Sequence, residues 1–268
     1  MDPGRMASST ISARWLSVML EAAENVRISV RKALLNRGSL ETPALKQKLD
    51  DEAQKAIRQT LTESGIPVRV ISEEGDYTLG SKGPFLIVDP LDGTTNMARG
   101  IPFACTSLAL SDIPRLSGLV IGLVKDLYTG DVYKAERNRG AWRSGKRIAP
   151  SRSRHLSNAI VSLDISKGTP VEGVERLITS AGHIRQMGSA ALSLCHLASG
   201  NIDAHIDVRG KLRVTDVAAG ILILEEAGGA IRIDGATGSD IGLSRESTLK
   251  LVAASSPWTL EEVLGTLS

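Results

Sequence analysis

Residues 85–96 read FLIVDPLDGTTN, and this stretch constrains the fold more than any other. Phe85, Leu86, Ile87 and Val88 run without polar alternation, the pattern of a strand covered on both faces. The run ends in Asp89, and a second acid, Asp92, follows after Pro90 and Leu91. Carboxylates at the buried end of a strand are costly unless something positive meets them. The chain must therefore build an interior strand whose far end needs a cation.

Two helices are expected before this strand. Trp15, Val18, Met19, Ala22, Val26, Val30, Ala33 and Leu34 recur at helical spacing over 12–36, ahead of Gly38. A second helix starts near Thr42-Pro43 and carries Leu45, Leu49, Ala53, Ile57 and Leu61 down to Gly65. Short strands follow at 68–72, 85–89, 106–111, 116–126 and 131–136, with turns at Tyr128-Thr129-Gly130 and Arg139-Gly140. After a break near Pro150 to Ser157, strands and helices alternate: a strand at 159–165, a helix near 171–181, a short strand to Met187, and a helix from Ser189. The strand IDAHIDV, a helix from Thr215 to Ala227, the strands AIRI and LVAAS, and a closing helix from Thr259 complete the chain. This divides it into 1–150, helix pair plus antiparallel sheet, and 151–268, an α/β part. At 268 residues and 42% hydrophobic, the two share one substantial core.

Lys and Arg number 32 against 30 Asp and Glu, which favours neither a nucleic-acid binder nor an acidic solvating chain. The basic run near 144–155 has only Trp142 beside it for stacking and reads as solvated surface. Cys105 and Cys195 lie in apolar stretches without metal or redox spacing, as in a reduced cytoplasmic protein. No apolar run approaches the length of a membrane span.

The remaining acids at element edges are Asp50, Glu73, Glu74 and Asp216. Carboxylates converging on one place take up protons unless divalent cations hold them ionised. Oxygen donors with no His or Cys among them suit Mg2+ or Mn2+ rather than zinc. Pro90 fixes the backbone so that Asp89 and Asp92 can turn to one point with the Leu91 carbonyl between them. Gly93, Thr94 and Thr95 then offer N–H groups to a phosphate where a helix begins. The bland alternatives are a DPLDG turn, two solvated acids at Glu73-Glu74, a structural calcium loop, and Asp216 as a helix cap. His183, His196 and His205 have no ligand spacing and read as satisfied core or surface residues.

The ordered motifs EEG, LIVDPLDGTTN with a following Pro-Phe pair, YKAERNRGAWRSGKRI, MGSAALSLCHLASGNIDA and TDVAAGILILEEAGG resemble the inositol monophosphatase family, the Mg-dependent, lithium-sensitive sugar-phosphate phosphatases. The resemblance implies a layered αβαβα sandwich with its cleft between the two halves, and commonly a homodimer. It implies Glu73, Asp89 and the Leu91 carbonyl on one Mg2+, Asp89, Asp92 and Asp216 on a second, and a third ion leaning on Glu73. Asp50 with Thr94 would orient and deprotonate the attacking water, and Gly93, Thr94 and Thr95 would hold the phosphate.

This chain departs from the family where the substrate's far end is expected. Thr215 stands where the family usually has Trp, and HIDVRGKLRVTD makes Asp207 the candidate for substrate hydroxyls. That segment is similar to the form in archaeal enzymes that hydrolyse both fructose 1,6-bisphosphate and inositol phosphate. Arg209, Lys211 and Arg213 are candidates for a second phosphate, or for a strand that neutralises the acids. Gly188 and Ser189, and more weakly Ser166, are candidates for sugar hydroxyls, with helix capping the favoured reading of Ser189. The expected activity is phosphomonoester hydrolysis of a small polyol or sugar phosphate. A nucleotide phosphatase acting on a 3',5'-bisphosphate or NADP is the alternative, short of stacking rings. A catalytically silent binding member is disfavoured because every required acid is present.

Overall fold

The computed structural model describes residues 3–38, 40–152, 155–166, 172–233 and 241–267. In chain order these form α1 (Pro3–Leu35), α2 (Thr42–Ser64), β1 (Val68–Ser72), β2 (Tyr77–Leu79), β3 (Phe85–Asp92), α3 (Thr94–Arg99), β4 (Cys105–Ser111), β5 (Leu119–Asp126), β6 (Val132–Glu136), β7 (Gly140–Arg143) and β8 (Lys146–Arg147). There follow β9 (Ile160–Leu163), α4 (Glu175–Ser180), β10 (His183–Arg185), α5 (Ala190–Ala198), β11 (Ala204–Arg213), α6 (Val214–Ala227), β12 (Ala230–Ile233), β13 (Thr248–Ala254) and α7 (Pro257–Leu264). The helix expected near 171–181 begins at Glu175, and position 171 lies outside the described residues, as do 153–154 of the basic run.

Two sheets result. The first has the order β2-β1-β3-β4-β5-β6-β7-β8 and the second β10-β9-β11-β13-β12. In the first, only β1 and β3 pair in parallel; all other pairings are antiparallel. Leu86 and Val88 of β3 point into a core with α1 and α2, while Ile87 points into another with α5 and α6. That is why FLIV lacks polar alternation: both of its faces are covered. The far side of α5 and α6 meets Leu249, Leu251 and Ala253 of β13. The second sheet's other face packs Val161, Leu163 and Ile206 on Leu177 of α4 and Leu260 and Val263 of α7. The order is helix pair, sheet, helix pair, sheet, helix pair, the five layers expected.

The central helices sit unusually close to the first sheet. A Cβ on Gly122 of β5 would lie 2.8 Å from the Ala219 carbonyl oxygen of α6, and one on Gly220 would lie 2.8 Å from Leu194 of α5. The small residues of DVAAG are thus a packing requirement that lets α6 nest between β5 and α5.

Two elements differ from the sequence reading. The three-residue strand β2 has no legible pattern of its own and is held by pairing with β1. The strand expected to stop at Asp89 runs on to Asp92, and its pairing with β4 shifts register between those two acids. Pro90 is tolerated there because a bulge needs no donor from it, and Thr106 Oγ1 serves its carbonyl at 2.9 Å.

Candidate active site

The acids converge where β3 ends. One oxygen each from Glu73, Asp89 and Asp216 lie within 4.8 Å of one another, the spacing of a metal-binding set. Each arrives by a different local device. Glu73 and Glu74 ride a turn after β1 built by Ser72 and Asp76: the Ser72 amide donates to Asp76 Oδ1 at 3.1 Å, and the Gly75 amide to the Ser72 carbonyl at 3.0 Å. Asp89 is fully buried and accepts the Leu91 amide at 3.0 Å. Asp216 stands in the first turn of α6, where its Oδ2 accepts the Arg213 amide at 3.2 Å. It caps its helix while facing the cluster, so the two readings of Asp216 coexist.

Asp92 completes the group from the bulged end of β3. Its Oδ2 accepts the Ser189 hydroxyl at 2.7 Å and the Ala191 amide at 2.8 Å. Burial first, and then the neighbouring carboxylates, push the carboxyls of Asp89 and Asp92 well above the usual range. A cluster of hard oxygens that repel one another around a buried Asp89 is the donor set a divalent cation relieves, so these residues fit Mg2+ or Mn2+. His and Cys contribute nothing to it among the described residues.

Asp50 reaches the site from α2. Thr94 Oγ1 lies 2.8 Å from Asp50 Oδ1 and 2.9 Å from the Leu91 carbonyl. One hydroxyl proton cannot serve both, so donation to Asp50 leaves the Leu91 carbonyl available to a cation. Burial raises the Asp50 carboxyl to about 6, with the Thr94 hydrogen bond opposing. Asp50, Glu73, Glu74, Asp89, Leu91 and Thr94 line a cavity of about 30 Å3, room for an ion with a water. A far larger cavity of about 800 Å3, with Pro150 and Trp258 in its wall, includes none of these acids. Gly93 has φ +92°, and a Cβ there would meet the Phe103 carbonyl at 2.8 Å. Only glycine brings the backbone through this corner, setting Thr94 and Thr95 at the head of α3 beside the acids.

The far-end candidates fall differently. Arg209 grips Asp207 through Nε at 2.9 Å and Nη2 at 2.5 Å, and reaches Ser166 Oγ at 2.8 Å and Asp164 Oδ1 at 3.0 Å. Asp207 is buried. Asp207 and Arg209, expected to meet substrate hydroxyls and a second phosphate, here satisfy one another, with Ser166 and Asp164 closing the network. The sequence reading passed over Asp164. Its signal was the acid at the end of the strand that becomes β9, and only the fold pairs it with Arg209.

Lys211 is exposed on β11, and Arg213 bonds Glu73 from across the cleft. Ser189 caps α5, accepting the Leu192 amide at 3.4 Å, and gives its proton to Asp92 rather than to open space. Gly188 turns the chain before it with φ +79°. His183 and His196 lie outside the cluster. His205, expected to be satisfied, is buried with Nδ1 3.0 Å from Ser162 Oγ and with no hydrogen-bond partner at Nε2. No helix among the described residues is long and apolar enough to cross a membrane.

Five alternating layers with a carboxylate cluster at their seam define the class of the layered, metal-dependent phosphatases. A profile of the inositol monophosphatase family matches residues 10–267. The fructose-1,6-bisphosphatase/inositol-1-monophosphatase of Methanothermobacter thermautotrophicus is 33% identical over 272 residues, covering 94% of this chain and 96% of that relative. The protein of the same description from Archaeoglobus fulgidus is 35% identical over 237 residues, covering 87% and 86%. Among solved structures, the native extragenic suppressor protein SuhB from Bartonella henselae superposes with a TM-score of 0.78 at 28% identity, covering 94% of this chain and 98% of that one. The chain belongs to the inositol monophosphatase family, a family of phosphoric monoester hydrolases.

Proposed function

We propose that the protein is a Mg2+-dependent phosphomonoesterase acting on small sugar or polyol phosphates, with inositol 1-phosphate and fructose 1,6-bisphosphate as joint substrates of choice. The observation that carries this reading is the convergence of Glu73, Asp89 and Asp216 within 4.8 Å, beside Asp92 and the Thr94–Asp50 pair. The archaeal relatives named for both activities support the substrate class.

Glu73, Asp89, Asp92, Asp216 and the Leu91 carbonyl would hold two to three Mg2+ ions, for which Mn2+ substitutes. Bound there, such cations lower the pKa of water and neutralise charge on the phosphoryl group and leaving oxygen. The amides of Gly93, Thr94 and Thr95 bind the phosphate oxygens and present phosphorus to in-line attack. Thr94 Oγ1 fixes the attacking water, and Asp50, whose burial tunes it near neutrality, takes that water's proton. No side chain becomes phosphorylated, so the reaction passes in one displacement from ester to inorganic phosphate. Arg209, Lys211 and Arg213 of β11 are the cations that would meet a distal phosphate or hydroxyl, Arg209 standing against Asp207 and Arg213 against Glu73 before substrate arrives. The same reading makes 1–150 and 151–268 one catalytic unit and the protein a cytoplasmic homodimer.

The nucleotide alternative is weaker because no aromatic ring lines the acid cavity to stack a base. Phosphate release from inositol 1-phosphate, fructose 1,6-bisphosphate, NADP and adenosine 3',5'-bisphosphate, with and without Mg2+ and with added Li+, tests the reading. Mg2+-dependent, Li+-sensitive release from either of the first two is expected. Preference for a nucleotide would move the assignment within the fold, and folded protein releasing phosphate from none would overturn it.

A further inference from the structure

Asn96 closes the DPLDGTTN stretch, and none of the roles above involves it. It is half-buried on α3, and its amide nitrogen donates to two backbone carbonyls, Phe103 and Met187, each at 2.8 Å. Both partners are acceptors, so only the NH2 end of the side chain can face them, and both of its hydrogens are used. Phe103 lies just before β4. Met187 comes from the second half of the chain, directly ahead of Gly188 and Ser189.

The contact is close-fitting. Gly188 has φ +79°, and a Cβ there would lie 3.0 Å from Asn96 Nδ2 and 3.3 Å from Oδ1. Past this turn, Ser189 Oγ and the Ala191 amide both donate to Asp92 Oδ2. The segment 187–191 is thus tied to the segment 92–96 by two rungs, one at Asn96 and one at Asp92. The first rung holds no charge, but it fixes where the donors of the second stand. Asp92 Oδ2 is occupied by those donors, which leaves its other oxygen the one to be aimed.

We infer that Asn96 is a positioning residue: by pinning the Met187–Ser189 turn to α3, it sets the direction in which the Asp92 carboxylate points and so the affinity of the site for its cation. The inference rests on the proposed function, since it takes Asp92 to be a ligand. It also assigns a physical purpose to the amide of Asn96 and to the missing side chain of Gly188.

The test compares full-length wild type with Asn96→Ala, Asn96→Asp, Gly188→Ala and, as control, Asp92→Asn, reading Mn2+ affinity by electron paramagnetic resonance and kcat against Mg2+ concentration. Loss of a group that hydrogen-bonds a metal ligand weakens metal binding about 10- to 100-fold, and Asn96 acts one step further out, so a weakening of up to about tenfold is expected. Asn96→Ala is expected to show that weakening while kcat recovers at saturating Mg2+, because Asn96 touches no reacting atom. Asn96→Asp should bind Mn2+ more weakly still, since its carboxylate would face two carbonyl oxygens. Gly188→Ala strains the same contact from the other side and should act in the same direction if the alanine variant at 96 does not fold. Unchanged Mn2+ affinity in folded Asn96→Ala or Gly188→Ala, with affinity lost in Asp92→Asn, overturns the inference and leaves the site reading standing. Affinity unchanged in Asp92→Asn as well removes Asp92 from the ligands and takes both readings down, and weakening at 96 without weakening at 92 overturns the route through Asp92.

Discussion

Asp92 is fixed from one chain segment and supplied by another. Its Oδ2 takes two donors from the start of α5, while its backbone belongs to the bulged end of β3. Replacing Asp92 with Asn keeps the shape but removes the charge that a cation needs and offers an NH2 where donors already crowd. Turnover of Asp92→Asn at saturating Mg2+ should fall at least about a thousandfold, roughly 4 kcal/mol of barrier. Steady-state phosphate release measures this, and near-native rates would rule out the assigned chemistry. At this scale the types of the site residues were legible because acid spacing and the absence of His and Cys limit the chemistry. The Asp50–Thr94 pairing came with the family motifs, and the pairing of Asp207 with Arg209 did not. Asp207 and Arg209 sit two apart on one strand, and nothing in HIDVRG says that the guanidinium folds back on its neighbour instead of reaching outward.

Among the elements, β11 carries a second consequence. His205 on this strand is buried, and burial lowers its pKa from 6.5 to about 4. The unfolded chain therefore takes up a proton below 6.5 that the folded chain refuses until about 4. Stability contributed by this group is present above pH 6.5, is lost as pH falls through that window, and does not fall further below about 4. The total is about 3 kcal/mol. Urea unfolding at pH 7.5 and 5 should show a drop that shrinks by about 2 kcal/mol in His205→Gln, because the replacement does not titrate. An equal drop in the variant would exclude His205 as the source. The paired helices could be read from periodicity, β3 from its unbroken apolar run, and the first turn of α6 from Asp216 as a cap. The three residues of β2 could not, because its position depends on β1 and not on any pattern within YTL.

For the molecule as a whole, the cleft's carboxylates are a standing cost that a cation removes. Burial raises the folded-state pKa of Asp50, Asp89 and Asp92, so between the usual carboxylate range and those raised values the folded chain holds more protons than the unfolded one. Cation-free protein accordingly loses stability from this cluster as pH rises. Protons and Mg2+ compete for the same oxygens, so the stabilisation by Mg2+ should grow with pH. At about 100-fold over its Kd, Mg2+ adds about 2.7 kcal/mol. Thermal unfolding with EDTA or Mg2+ at pH 5.5 and 8 should give a larger Mg2+-induced rise in Tm at pH 8, and a rise that is equal or smaller there would contradict the cluster's electrostatics. The five-layer order was accessible through the family motifs and the fold that the resemblance implies. The depth at which α6 sits was not, because it depends on Gly122 meeting Ala219 across almost a hundred residues.

That contact acts as a machinist's shim. Asp216 stands one turn ahead of Ala219 on the same rigid α6, and Asp89 is on β3, two strands over from Gly122 in the first sheet. The clearance between the strand and helix backbones, set by a hydrogen at position 122 where another residue would carry carbon, therefore gauges the gap between two carboxylates in the cleft. Bore width in this chain is machined at its centre, so a methyl group added far from any acid would change the calibre of the ion seat.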